Sequence, residues 1–350
     1  MGTGVAGAFA RAGWAKARQP ASTAGKVRNY YVAADEIEWD YAPSGINQFT
    51  GKMFEGVAAN FVKSGPHRIG KVYRKAVYRE YTDGAFTHLK PRPSEEAHTG
   101  ILGPSLRAEV GDTIRVVVFK NNTSRPYSMH PHGIFYEKTS EGAQYNGGGP
   151  MGQKPGAAVP PGKTVVYTWP VPERAGPGPN DPSSVGWLYH SHHSHVEEMR
   201  DTDSGLAGFI TVTRHGMARP DGRPKDADRE FFNLYLMYNE NASWYLEHNL
   251  NTYCSDPKGV NRHKRRPMIT GTTFGTSNFM CAINGYLFRT MPLMTVRQGN
   301  PVRWYVATMG DFNNYHTAQR HGNTVLLNGS RTDVLFPRSC ADADRGHEAR

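Results

Sequence analysis

Seven runs of β-branched and aromatic residues, each closed by Gly- or Pro-rich turns, constrain this chain more than any other feature. They cover residues 28–41, 71–81, 113–120, 163–170, 186–192, 206–213 and 229–238. The 38 Gly and 24 Pro supply turns for many short strands. The 18 Tyr and 15 Phe supply side chains that pack a pleated surface. An all-β fold follows, and 350 residues suit two domains of about 100–200 residues each.

The pattern divides the chain. Residues 1–27 are small, Gly-rich and aperiodic, and read as a disordered amino-terminal segment. Residues 28–215 read as one complete domain. The polar break over 214–228 (RHGMARPDGRPKDAD) contains a linker at 216–228. Residues 229–350 then restart the pattern as a partial second domain. Glu109-Val-Gly-Asp-Thr-Ile-Arg115 is echoed by Arg297-Gln-Gly-Asn-Pro-Val-Arg303, and a histidine follows each glycine at a similar gap (His130 and His316). Tyr81-Thr-Asp-Gly-Ala-Phe86 is echoed by Tyr238-Asn-Glu-Asn-Ala-Ser-Trp244. The period is too long for a solenoid and reads as a duplicated domain.

Charge and cysteine content exclude several classes. The formal net charge is +10, with excess at the amino terminus and in the run Arg262–Arg266. That run lies in a Gly/Pro/Thr-rich loop without interleaved aromatics, and no nucleic-acid-binding motif accompanies it, so it reads as a solvated loop. Cys254, Cys281 and Cys340 make neither a disulfide framework nor a CxxC metal pair. No stretch reaches the roughly 20 apolar residues needed to span a bilayer. Residues 1–27 lack the apolar core of a signal peptide. Glycosylation triplets start at Asn121, Asn122, Asn241 and Asn328.

The 15 histidines cluster. One group is Ser128-Met-His130-Pro-His132-Gly133. The other is Trp187-Leu-Tyr-His190-Ser-His192-His193-Ser-His195. In an extended segment residues i and i+2 face the same way. A His-x-His pair at a strand end therefore aims two imidazoles at one point, and two such pairs on neighbouring strands present four nitrogen donors. Imidazoles without thiolates suit copper, zinc, iron or nickel. No HExxH or nearby carboxylate pattern supports a zinc hydrolase. In the second copy Ala318 stands two residues past His316, so that copy has one donor, enough only to begin a mononuclear site. His321, before Gly322, reads as a turn residue.

At these residues the chain resembles the multicopper oxidases, in particular the ceruloplasmin and hephaestin group of ferroxidases. The similar stretches include Asn29–Trp39, Gly100-Ile-Leu-Gly-Pro104, Ser128–Gly133, Tyr189-His-Ser-His192, Ala242–Glu247 and Ile283-Asn-Gly-Tyr286, from about Arg28 to Pro337. The resemblance implies cupredoxin-like Greek-key β-sandwiches or barrels. It implies that His130 ligates a type 2 copper and His132 a type 3 copper, and that His190 and His192 complete the first-domain set. It makes His316 the first ligand of an incomplete type 1 site. Electrons from ferrous iron would reduce dioxygen to water. An iron permease or further carboxyl-terminal domains would be partners, and the setting would be extracellular or cell-surface. A non-enzymatic reading stays open, because coagulation-factor A-domains of this same group act as binding scaffolds. Phenols or cuprous copper stay open as other substrates.

Three departures stand out. The run 190–195 reads HSHHSH where the family has one His-Ser-His, so counting back from Val196 selects His193 and His195 instead. The first pair is preferred, because the strand after Trp187 fixes the register. The loop Asn146–Lys154 lacks the acidic residues of a calcium site. After Pro337 the similarity stops, and the type 1 cysteine, second histidine and methionine of the family do not follow, so the chain reads as truncated and, alone, is expected to be inactive. Cys340 lies in that dissimilar tail, while Cys254 resembles a family disulfide cysteine. The second domain, alone, is expected to be marginally stable, with open sheet edges.

Overall fold

The computed structural model describes residues 25–144, 156–193, 198–260, 273–309, 317–319, 323–327 and 329–335. Residues 1–24 and the basic run 262–266 lie outside these. All seven expected runs are strands, each within two residues at either end.

Two four-stranded sheets form the first unit. One contains β1 (Val27–Asp40), β2 (Val72–Tyr81), β4 (Thr113–Asn121) and β6 (Thr164–Pro170), in the order β2-β1-β4-β6. The other contains β3 (Leu106–Glu109), β5 (His130–Pro131), β7 (Ser184–His190) and β8 (Ala207–Thr213), in the order β3-β8-β7-β5. Strand β1 runs antiparallel to β2 and parallel to β4. Val32, Ile114, Val116 and Phe119 on the first sheet meet Leu106, Tyr189, Ile210 and Val212 on the second. Apolar side chains on the facing surfaces thus fill one core, giving a cupredoxin-like sandwich.

A third sheet contains β9 (Arg229–Asn239), β10 (Phe279–Ile283) and β11 (Val302–Thr308), in the order β10-β9-β11. It lies on the outer face of the second sheet. Leu188, Ala207 and Phe209 pack there against Phe232, Leu234, Leu236 and Tyr305. The Phe232 ring stands 5.4 Å from that of Phe209 and stacks on Tyr305 at 4.9 Å. Strand β8 is therefore the middle layer, and all seven of its residues are buried. This explains its unbroken Ala-Gly-Phe-Ile-Thr-Val-Thr run, since a strand covered on both faces has no solvent side to alternate toward.

The duplication is visible in the ladders. Strand β9 is antiparallel to β10 and parallel to β11, as β1 is to β2 and β4. Gly111 (φ 97°) turns the chain into β4 and Gly299 (φ 87°) turns it into β11. Both conformations belong to glycine, which has no Cβ to clash. The Tyr81 and Tyr238 echo, by contrast, joins unlike places. Tyr81 ends β2, whereas Tyr238 lies in β9, the counterpart of β1. Both segments leave a strand for a polar turn, and that shared task gives them similar composition.

Four short helices among the described residues were not expected: α1 (Gly56–Val62), α2 (Glu198–Asp203), α3 (Leu246–Tyr253) and α4 (Phe274–Ser277). Helix α3 places Leu246, Leu250 and Tyr253 on one face against the core between the second and third sheets. The stretch expected as a linker folds back on the first unit. The Thr213 hydroxyl donates to Gly222 O at 3.3 Å, and Arg223 pairs with Glu95 at 2.6 Å.

A buried ion pair joins the two units. Lys75 on β2 and Glu240 after β9 are both fully buried and touch directly. Lys75 Nζ also donates to Tyr41 Oη at 3.1 Å and to Asp203 O at 2.5 Å. Burial pushes the Glu240 carboxyl up, and the Lys75 charge opposes this. No helix among the described residues is long and apolar enough to cross a membrane.

Candidate metal centre

Cross-strand register brings the histidines together. Strand β5 pairs antiparallel with β7, with His130 opposite His190 and Pro131 opposite Tyr189. His132 N donates to Leu188 O at 2.9 Å, extending the ladder by one residue. His192 lies just past β7, where its backbone N donates to Ser128 Oγ at 3.0 Å. The rings of His130 and His132 are 5.1 Å apart, those of His132 and His190 5.0 Å, and those of His130 and His192 5.4 Å. His190 and His192 are 5.8 Å apart. The alternation that puts i and i+2 on one face thus acts in both segments.

Two glycines make the close packing possible. Gly133 has φ 70°, and a Cβ there would sit 1.9 Å from the Trp187 ring. Gly142 has φ 72°, and a Cβ there would sit 1.8 Å from Met129 O. Any side chain would push the His130 segment off its neighbours.

Backbone carbonyls fix two ring orientations. His130 Nδ1 donates to Glu141 O at 2.6 Å, and His190 Nδ1 donates to Ser191 O at 2.9 Å. A carbonyl only accepts, so the neutral ring carries its proton on Nδ1 and offers the Nε2 lone pair. His132 Nε2 meets His190 Nε2 at 2.9 Å. Two bare lone pairs would repel at that distance, so the contact calls for a shared proton or a cation. Among the described residues no three donors of this kind already surround one point as a finished metal shell. The donor chemistry nonetheless fits copper: four imidazoles, two with preset Nε2 donors, and His190 only 1% exposed.

Behind the rings lies support that sequence reasoning did not single out. Ser128 N donates to Ser191 Oγ at 3.0 Å, and Ser191 Oγ donates to Asp201 Oδ2 at 2.7 Å. Asp201, at 0% exposed, also accepts from His193 Nδ1 at 2.6 Å and from Trp244 Nε1 at 2.8 Å. The available signal was the serine two before His130 and the serine between His190 and His192. A residue between two same-facing ligands points the other way, into the scaffold. His193 belongs to this scaffold side, with its ring 5.9 Å from Tyr127 and 5.8 Å from Trp244.

The structure therefore brings His130, His132, His190 and His192 into one cluster and sets His193 against Asp201. His195, His316, His321, Cys340 and the 146–154 loop lie outside the described residues. Cys254 is a buried, unbridged thiol, and Cys281 is exposed. Burial pushes the Cys254 thiol up to about 11.

Comparison with known proteins agrees with this architecture. Residues 90–216, which include all four clustered histidines, match the family model described as multicopper oxidase. Hephaestin of Rattus norvegicus is 42% identical over 328 residues, covering 92% of this chain and 27% of hephaestin. Ferroxidase HEPHL1 of Homo sapiens is 43% identical over 316 residues, covering 89% of this chain and 26% of that protein. Ceruloplasmin of Ovis aries is 38% identical over 318 residues, covering 89% of this chain and 29% of that protein. The chain spans about a quarter of the length of these relatives. With that domain match and relatives this similar along most of its residues, the chain belongs to the multicopper oxidase family.

Proposed function

We propose that this chain is the copper-binding part of a ferroxidase-type multicopper oxidase. Its substrates in the longer architecture are ferrous iron and dioxygen. The observation that carries the reading is the convergence of His130, His132, His190 and His192 across the β5–β7 ladder. Copper, when bound, supplies one-electron redox chemistry between a reductant and dioxygen.

The chain's own residues prepare the donors. Glu141 O and Ser191 O hold the His130 and His190 protons on Nδ1, leaving Nε2 for the metal. Asp201 and the two serines fix the backbone beneath them. What supports His190 and His192 over His193 and His195 is that the rings of both stand within 6 Å of the His130 ring, whereas the His193 ring packs on the scaffold side against Tyr127 and Trp244. His316 is assigned as a first type 1 ligand by resemblance, and carboxyl-terminal domains supply the remaining ligands. The domain boundaries follow the same reading: 28–215 for the first cupredoxin domain, 216–228 for the join, and residues from 229 for the second. An iron permease is the proposed partner and the cell exterior the proposed setting.

In that setting Asn122, which is exposed, is the proposed glycan acceptor. Asn121 is buried and spends its amide on Arg125 O and Val159 O. The deciding experiment is copper titration of the whole chain. Uptake should vanish in the His130→Ala/His132→Ala double variant and persist in His193→Ala. Full uptake by the double variant would refute the assignment.

A further inference from the structure

The support behind the histidine cluster is shared between the two units. Ser128 and Ser191, both fully buried, tie the two His-x-His segments together. Ser128 N donates to Ser191 Oγ at 3.0 Å, and His192 N donates to Ser128 Oγ at 3.0 Å. Ser191 Oγ donates in turn to Asp201 Oδ2 at 2.7 Å. The same oxygen accepts from His193 N at 3.2 Å and from His193 Nδ1 at 2.6 Å. All three donors come from the segment that carries His190 and His192. The other oxygen, Oδ1, accepts from Trp244 Nε1 at 2.8 Å, and Trp244 belongs to the second unit.

Trp244 is itself seated on the first unit. Its backbone N donates to Ser204 Oγ at 3.3 Å. The Arg125 and Arg200 guanidiniums lie 4.0 Å and 4.6 Å from its ring centroid. The next residue, Tyr245, is buried in the core of the first sandwich and donates to Glu36 Oε1 at 3.1 Å. The second unit thus sends a two-residue plug, Trp244-Tyr245, into the first.

Asp201 is fully buried, and a carboxylate in that position depends on hydrogen bonds to both oxygens. Without the indole N–H, Oδ1 loses its charge-assisted donor and the carboxyl is left free to turn. Turning withdraws Oδ2 from Ser191 and His193.

We infer that Trp244 is a positioning residue for the copper donors, acting through Asp201 and Ser191 on the backbone between His190 and His192. The donor geometry of the first unit therefore depends on the second unit. The consequence for copper rests on the function proposed above, but the linkage itself holds without metal.

The test compares the whole chain with Trp244→Phe, which keeps an aromatic ring and removes the N–H donor. In the metal-free protein, amide hydrogen exchange over residues 190–193 should quicken about tenfold in the variant, with exchange in β1 and β4 unchanged. With substoichiometric copper(II), competition against a chelator should show affinity about tenfold weaker, and the electron paramagnetic resonance spectrum of the bound ion should change. Unchanged exchange over 190–193 overturns the inference, as does exchange that quickens equally in β1 and β4. Wild-type copper affinity together with a wild-type spectrum in the variant also overturns it. Should the wild-type chain take up no copper, the copper reading falls, and the exchange comparison still decides the linkage. Should Trp244→Phe not fold, benzothienylalanine at position 244 decides, since it keeps the fused ring and carries sulfur in place of the N–H.

Discussion

The first unit and the sheet that follows it share one three-strand ladder, yet among the described residues only the first carries a histidine cluster. Around β1 the ladder leads on to β5 and β7, whose opposed His130 and His190 begin a four-imidazole site. Around β9 the same ladder leads toward Ala318, which is 1% exposed and pairs with Leu335 in a two-residue strand. The position two past the first histidine thus holds an imidazole in one copy and a methyl group in the other. A ladder is specified by alternation and turn glycines, which tolerate many sequences. A four-imidazole cluster needs both members of each pair, and Ala318 removes one of them from the second copy.

The largest effect should come from the donors themselves. Replacing His130 and His132 with Ala should abolish copper uptake while leaving the far-ultraviolet circular dichroism unchanged. Retained uptake would mean that the contrast between the two copies has no chemical content.

The joint between the units comes next. Lys75→Met leaves Glu240 buried without its cation and should destabilise the protein by about 3–5 kcal/mol. Urea unfolding measures this. Limited proteolysis should then cut the region after Arg229 before the first sandwich. A stability loss within error would show that the third sheet does not depend on this contact.

A smaller effect separates two cysteines of the second unit. The Cys254 thiol is raised from 9.0 to about 11 by burial, so the folded state holds its proton longer than the unfolded state. Stability should therefore fall as pH rises from about 9 to about 11. Alkylation at pH 8 should mark the exposed Cys281 in the native protein and Cys254 only after unfolding. Equal labelling of both would contradict the buried placement.

The smallest effect concerns the sequons. Expressed through a secretory route, the first unit should carry a glycan on Asn122 and none on Asn121. The second unit's Asn241 should be modified less than Asn122, because it is half-buried where Asn122 is exposed; the amides of both already donate, Asn122 to Asp35 Oδ1 and Asn241 to Asn239 Oδ1 and Gly275 O. Peptide mapping by mass spectrometry reads all three.

Much of this was legible in the chain. Strand positions followed from local composition, and the glycines at 111 and 299 marked two equivalent turns. The same-facing pairs at 130/132 and 190/192 followed from a period of two. The helices were missed because they are short and lie between strong strand signals. The false echo of Tyr81 and Tyr238 shows the limit of matching composition without topology.

By itself the sequence determined what is local: strand periodicity, turn glycines and the aim of each His-x-His pair. Only the tertiary structure decided what is distant. It opposed His130 to His190, bolted Ser128 and Ser191 to Asp201, and laid Phe232 on Phe209 so that β8 became a buried middle layer. Those contacts join residues from 10 to 63 positions apart, and they are selected by which apolar faces remain to be covered. No local pattern records that choice.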